Sequence, residues 1–254
     1  MSTKRLFFDI ETSPNVCFSW RTGYKINLNP ENIIHERAII CICYKWEGKK
    51  KVHSIEWDRG DDRRLINRFS PIADKADEIV AHNGDKFDIK WFNGRNLMHG
   101  LPSLPDYKTF DTLLWSRRLF NFNSHSLDYL AQILLGSRKI KTDYDLWKRI
   151  CLDNCPKAMH EMVTYCKRDV ALLEGVYNKI IPYCKTKTHT GVLGGKERWT
   201  CPICGSESVS KSKSRVTTMG MKQHQMLCKD CHKYYTVSDL VFRQYLAAKD
   251  GGGK

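Results

Sequence analysis

The chain has 254 residues, 41% of them apolar, which allows one sizeable domain with a proper core and a small second one. Its formal charge of +14 suits a polyanion, most simply nucleic acid, although a solvated basic surface would give the same number. No run of 18 apolar residues occurs, and acids arrive early in "MSTKRLFFDIE". Both facts argue against a membrane span or a secretory leader, so the expectation is a cytoplasmic protein with no membrane partner.

In chain order, "LFFDIET" (6–12) is an apolar strand that carries two acids one residue apart. A polar, irregular stretch follows over 13–36, with Pro14, Gly23 and Pro30. The β-branched and aromatic runs 38–46 and 51–57 flank a Glu47-Gly48 turn and predict a hairpin. Residues 61–76 have helical spacing that Pro71 is expected to bend or end. "EIVAHN" (78–83) is a short buried strand stopping at Asn83-Gly84, and 85–97 a helix weakened by Gly94. A strand at 107–112 follows, then a helix at 126–136 closed by Gly136. Further helices cover about 143–152 and about Pro156 to Ile180. Antiparallel strands first, then strands alternating with helices, predict a mixed α/β layered domain.

Alternation along a strand puts Asp9 and Glu11 on one face, beside Phe7. Two desolvated carboxylates repel each other, so a positive partner is required. Later segments supply more acids: Asp88 on the early turns of a helix, and Asp169 on a long helix, four residues after Tyr165 and so on its face. Each acid alone could be an ordinary surface residue. Four converging carboxylates would instead hold two divalent cations, and oxygen donors suit Mg2+ or Mn2+.

"FDIET", "HNGDKFD" and "YCKRDV", in this order, resemble the three motifs of the DEDD superfamily of 3′–5′ exonucleases, whose fold is ribonuclease H-like. The resemblance spans about residues 4–180 and includes "KTFDT" and "HSLDYLAQILLG" between the motifs. It implies Asp9, Glu11, Asp88 and Asp169 as metal ligands, with Asp88 preferred to Asp85 because the family pattern has a Phe-Asp dipeptide. The Tyr-x3-Asp spacing resembles the branch that uses tyrosine. The other branch would place a histidine where Thr164 stands, and His160 has the wrong spacing. The implied reaction is two-metal hydrolysis of phosphodiesters from the 3′ end, releasing nucleoside 5′-monophosphates, with Tyr165 orienting water or phosphate. The implied substrate is single-stranded nucleic acid or a 3′ end, with DNA preferred to RNA on the tyrosine branch alone. A silent nucleic-acid-binding scaffold and an endonuclease or transposase-like enzyme are the alternatives.

Ile10 and Thr12 flank the strand acids, and Asn83 precedes the helix of Asp88, so all three are candidate substrate contacts. Asn83 serves equally as a turn residue, and Asp111 is expected to cap a helix. Within 13–36, Trp20, Arg21 and Tyr24 interleave aromatic faces and cations, as single-strand grips do; packing that pins the loop to the core is the competing use.

Residues 185–254 hold 13 Lys/Arg against 5 Asp/Glu, a balance of +8. Four of the 11 cysteines form two C-x2-C pairs, Cys201/Cys204 and Cys228/Cys231, a spacing that predicts one structural Zn2+ in a fold resembling a zinc ribbon. Cations and aromatics around the knuckles suggest a nucleic-acid contact, with protein docking as the alternative. The expected organisation is an exonuclease domain over 1–184, a linker over 185–196, a zinc ribbon over 197–250 and a tail over 251–254.

Overall fold

The structure, a computed structural model, describes residues 3–23, 25–102, 107–140, 142–185 and 188–250. Two compact units divide at Val176/Tyr177. In the first, β1 (Arg5–Thr12) leads into a small ladder of β2 (Val16–Cys17) with β3 (Ile33–His35), then the hairpin β4 (Ile39–Trp46) and β5 (His53–Glu56). Next come α1 (Arg63–Ala73), β6 (Glu78–Ala81), α2 (Asp88–Met98), β7 (Lys108–Asp111) and α3 (Thr112–Leu119). The helices α4 (Leu127–Leu135), α5 (Tyr144–Cys151) and α6 (Pro156–Ile180) complete the run.

The five-stranded sheet has the order β5-β4-β1-β6-β7, with β1 antiparallel to β4 and parallel to β6. Both faces of β1 bury side chains, Phe7 on one and Leu6 and Phe8 on the other, which explains why the strand is so apolar. Leu6, Phe8 and Ile10 point into one core, with Leu65, Ile66 and Phe69 of α1 and Phe92 of α2. Phe8 stacks on Phe69 at 5.6 Å, and Phe69 meets Phe92 edge-on at 5.4 Å. Phe7, Asp9 and Glu11 alternate to the opposite face, where Cys166 of α6 lies 3.5 Å from the Asp9 carbonyl. Register shifts at Glu11/Thr12, so the strand leaves the ladder beside its second acid.

Local signals placed most elements. Ser126 caps α4 by accepting from Tyr129 N–H, and Gly136 closes it at φ +65°. Pro71 does not end α1, which continues to Ala73. The proline lies on the solvent side of the helix, so water can serve the carbonyl that it leaves without an N–H. Helix α2 starts at Asp88 rather than 85, because residues 83–87 form a tight turn in which Phe87 N–H reaches Asn83 carbonyl at 3.0 Å.

The second unit begins with the end of α6 and holds a helical turn, α7 (Thr190–Leu193), inside the segment expected as a linker. The antiparallel sheet β8 (Val209–Val216), β9 (Lys222–Cys228) and β10 (Tyr234–Ser238) follows, then α8 (Asp239–Asp250). Helix α8 covers one face of this sheet: Phe242 stacks on His224 at 4.0 Å, and Tyr245 Oη donates to Val209 carbonyl at 3.2 Å. Residues 251–254 lie outside the described residues.

The turn that aims Asp88 depends on Asn83, at φ +67°, and on Gly84, where an added Cβ would stand 2.4 Å from Ala81 Cβ. Neither partner of that clash is a flexible side-chain end, so Gly84→Ala is expected to cost about 1–3 kcal/mol and lower Tm by several degrees. A thermal melt checks this; an unchanged Tm would mean the turn is looser than its geometry.

Candidate active site

Three elements converge at the carboxylates. The central strand supplies Asp9 and Glu11, the start of α2 supplies Asp88, and the middle of α6 supplies Tyr165 and Asp169. Carboxylate oxygens of Asp9, Glu11 and Asp169 all lie within 4.8 Å of one another. Asp88 stands outside this close group of three, but its Oδ1 accepts Ile10 N–H at 3.1 Å, so the α2 acid is tied to the strand that carries Asp9 and Glu11, and its charge raises the Asp9 carboxyl. Asp88 and Asp169 are 2% and 1% exposed, whereas Asp9 and Glu11 keep an open side to solvent. Asp85 is not in this group; its N–H donates to Asp111.

The residue that sequence reasoning missed is Lys139. Its Nζ lies 2.5 Å from Asp169 Oδ2 and 3.4 Å from Tyr165 Oη, with the ammonium 5.4 Å from the Tyr165 ring centroid. Asp128 holds the lysine's backbone by accepting Lys139 N–H at 2.8 Å. No motif marks this lysine, since it comes from the irregular connection after Gly136. The one available signal was the unpaired negative charge of the acids themselves, which demanded a cation.

Burial dominates the electrostatics. Desolvation, then the charge of Asp88, Glu11 and Asp169, holds the Asp9 carboxyl well above the usual range. Glu11 is pushed up to about 8, by burial and by Asp169, and Asp88 to about 7, by burial against the Ile10 N–H that opposes it. Asp169 is raised as well: its burial outweighs the neighbouring Lys139. Burial would lower Lys139, but Asp169, Asp9 and Tyr165 outweigh it and keep the ammonium firmly charged. Tyr165 is raised by burial and by Asp169, so its hydroxyl stays protonated.

One lysine against four desolvated carboxylates leaves charge uncompensated, and Asp169 Oδ1 is buried with no hydrogen-bond partner. An orphaned anionic oxygen of this kind fits a cation ligand. The donor set is all oxygen, so the residues present fit hard divalent ions such as Mg2+ or Mn2+. Asp61, Asp62 and His99 also cluster, but Arg95 and His99 already occupy the Asp62 carboxylate.

The remaining candidates divide. Ile10 has its side chain in the core on the opposite face, so only its backbone reaches the site. Thr12 is buried, with its hydroxyl accepting from Arg37 at 2.6 and 2.9 Å and its carbonyl from Trp147 at 3.1 Å. Asn83 holds the turn and donates N–H to Asp111 Oδ1 at 3.0 Å. Asp111 caps α3 through Leu113 and Leu114 N–H. Trp20 is fully exposed and Arg21 exposed, so Trp20 does not pin the 13–36 loop to the core. Tyr24 lies outside the described residues.

In the second unit the four cysteine sulfurs lie within 4.8 Å of one another, with Cys201–Cys231 at 3.5 Å and Cys204–Cys228 at 3.6 Å. Tetrahedral Zn–S bonds of about 2.3 Å set sulfurs about 3.8 Å apart, so the quartet fits Zn2+. Gly205 at φ +70° and His232 at φ +56° take the left-handed position after each pair.

Raised carboxyl pKa values govern the metal-free chain's response to pH. A carboxyl that titrates higher folded than unfolded binds more protons when folded. Its stability contribution is full below about pH 4 and is lost as pH rises through the folded value. With Glu11 near 8 and Asp88 near 7, Tm in magnesium-free buffer is expected to fall from about pH 5 towards pH 8. Millimolar Mg2+ is expected to restore it most at the upper end. Differential scanning fluorimetry reads both, and an Mg2+ effect equal at the two pH values would contradict the account.

A family model described as 3'-5' exonuclease matches residues 29–183. Asp88, Tyr165 and Asp169 fall within that match, and β1 with Asp9 and Glu11 lies before it. No curated protein matches. Among solved structures, the family B DNA polymerase from the hyperthermophilic archaeon Pyrobaculum calidifontis is similar, with TM-score 0.55 and 19% identity over 71% of this chain and 25% of the polymerase. The chain thus spans about a quarter of that protein's length, and at this identity the likeness is one of fold. A match over more than half of the chain settles the family: the chain belongs to the 3′–5′ exonucleases of the DEDD superfamily.

Proposed function

We propose that the protein is a 3′–5′ exonuclease that shortens single-stranded nucleic acid, DNA in preference to RNA, and releases nucleoside 5′-monophosphates. The observation that carries this reading is the oxygen-only group of Asp9, Glu11 and Asp169 with Asp88 beside it, desolvated and short of positive charge. These four residues would hold two divalent ions. Such ions, when bound, lower the pKa of water to give a nucleophile and neutralise charge on the leaving 3′ oxygen. A structural Zn2+ on Cys201, Cys204, Cys228 and Cys231 belongs to the same reading.

The chain's own groups do the rest. Ile10 N–H fixes Asp88 against the strand, so the carboxylates from two elements keep one spacing. Tyr165 stays protonated, which makes its hydroxyl a donor that orients water or a phosphate oxygen rather than a general base. Lys139 neutralises Asp169 and offers a charged donor to a phosphate oxygen placed beside Tyr165. The exposed Trp20 and Arg21 provide a stacking face and a cation for the strand that enters the site. The preference for DNA follows the tyrosine spacing.

The test uses 5′-labelled single strands, one DNA and one RNA, with Mg2+ or Mn2+. A ladder that shortens from the 3′ end is expected, faster on DNA. Asp169→Ala is expected to lose at least about 10²-fold in rate, and Lys139→Met about 10-fold to 10²-fold. Intact strands under both metals would overturn the reading in favour of a binding scaffold, and internal cuts would move it to an endonuclease.

A further inference from the structure

The ribbon sheet has two unlike faces. Pairing across the strands sets Ser214 with His224 and Val237, while Lys211 pairs with Met226 and Tyr235. His224 and Met226 are buried, and α8 lies over His224 through Phe242. The alternate rows face the other way: Arg215 with Gln223 and Ser238, Lys213 with Gln225 and Thr236, and Ser210 with Leu227 and Tyr234.

On this second face the central-strand residues Gln223, Gln225 and Leu227 are half-buried and the flanking ones mostly exposed. Lys213, Arg215, Thr236 and Ser238 are exposed, and Tyr234 is 51% exposed. Of the four cations on these strands, Lys213 and Arg215 face this side and Lys211 and Lys222 the other, and the strands contain no Asp or Glu. An uncovered sheet face of an ordinary soluble module would mix charges of both signs. Arg215 reaches across the strands, donating to Gln223 Oε1 at 3.3 Å and Thr236 Oγ1 at 3.4 Å. Gln225 stands on the central strand between Lys213 and Thr236, one row from the Ser210, Leu227 and Tyr234 row, and Gln223 is paired with Arg215. A surface of this kind matches a strand of nucleic acid: cations for phosphates, amides for base edges and one ring for stacking.

We propose that this open face of the β8–β9–β10 sheet, centred on Lys213, Arg215, Gln225 and Tyr234, is a binding site for single-stranded nucleic acid, separate from the carboxylate site. Three strands about 4.8 Å apart span only two or three nucleotides, so the face holds a short stretch of an unpaired strand rather than a duplex. Tyr234 stacks a base and the two cations meet neighbouring phosphates. The proposal is independent of the exonuclease reading, because it concerns binding alone.

Fluorescence anisotropy tests it with the full chain in an Asp169→Asn background, so that the probe is not consumed. The probes are fluorescein-labelled dT12 and U12. Lys213→Glu/Arg215→Glu is expected to raise Kd about tenfold and to reduce the slope of log K against log salt by about 1.4. Tyr234→Ala is expected to raise Kd about tenfold without changing that slope. The control is Lys49→Glu/Lys50→Glu, the same charge change at the exposed turn between β4 and β5, which should have little effect. Retained zinc and an unchanged melt certify each variant, and Lys213→Gln/Arg215→Gln replaces any that fails. Equal weakening by the control would reduce the effect to net charge and overturn the site. Unchanged binding in the ribbon variants would overturn it too, and would return this face to a protein partner.

Discussion

Carboxylates that must be buried together constrain everything else in the catalytic unit. Asp9 and Glu11 belong to a central strand whose other residues are buried, so the backbone fixes both acids side by side with only a partial opening to water. Asp88 and Asp169 are brought against them almost without exposure. Desolvation and mutual repulsion then push the group towards protonation, and only an arriving cation reverses that. Lys139 supplies part of the compensation, and the buried, unpartnered Asp169 Oδ1 marks what it leaves undone.

The elements that hold this group do so by rigid, short-range devices. Phe7, Asp9 and Glu11 share one face because Leu6, Phe8 and Ile10 are committed to the core on the other. The Asn83-Gly84 turn sets where α2 starts, and the start of α2 is Asp88. Tyr165 and Asp169 need no separate positioning, since one helical turn places both on the face of α6 that meets the strand. A site built on a central strand and two helices is better preorganised than one built on loops. Trp20, fully in solvent, takes no part in holding the acids.

Much of this was legible in the residues because the signals are local. The hairpin of β4 and β5, the Gly136 end of α4, and the cysteine quartet all declare themselves by spacing or by a residue with one conformational use. The acids were legible as a set because two sit on an apolar strand and all four fall in motifs that resemble those of a known family. Other features depend on tertiary placement. Lys139 enters the site from an irregular connection, so no periodicity could point to it. Pro71 is tolerated because its turn faces water, which the chain order does not state. The delayed start of α2 follows from the close approach of Gly84 to Ala81, again a contact and not a pattern. The short helix α7 within 185–196 escaped because four residues carry too little periodicity.

The central claim is that the crowded carboxylates form a two-ion site, and counting ions tests it most directly. Mn2+ titrated into the zinc-loaded protein can be followed by the loss of the free-ion EPR signal. Two ions bound per chain are predicted, falling to one or none in Asp9→Asn with the ribbon zinc retained. No bound Mn2+ in the wild type, or the same stoichiometry and affinity in Asp9→Asn, would contradict the account.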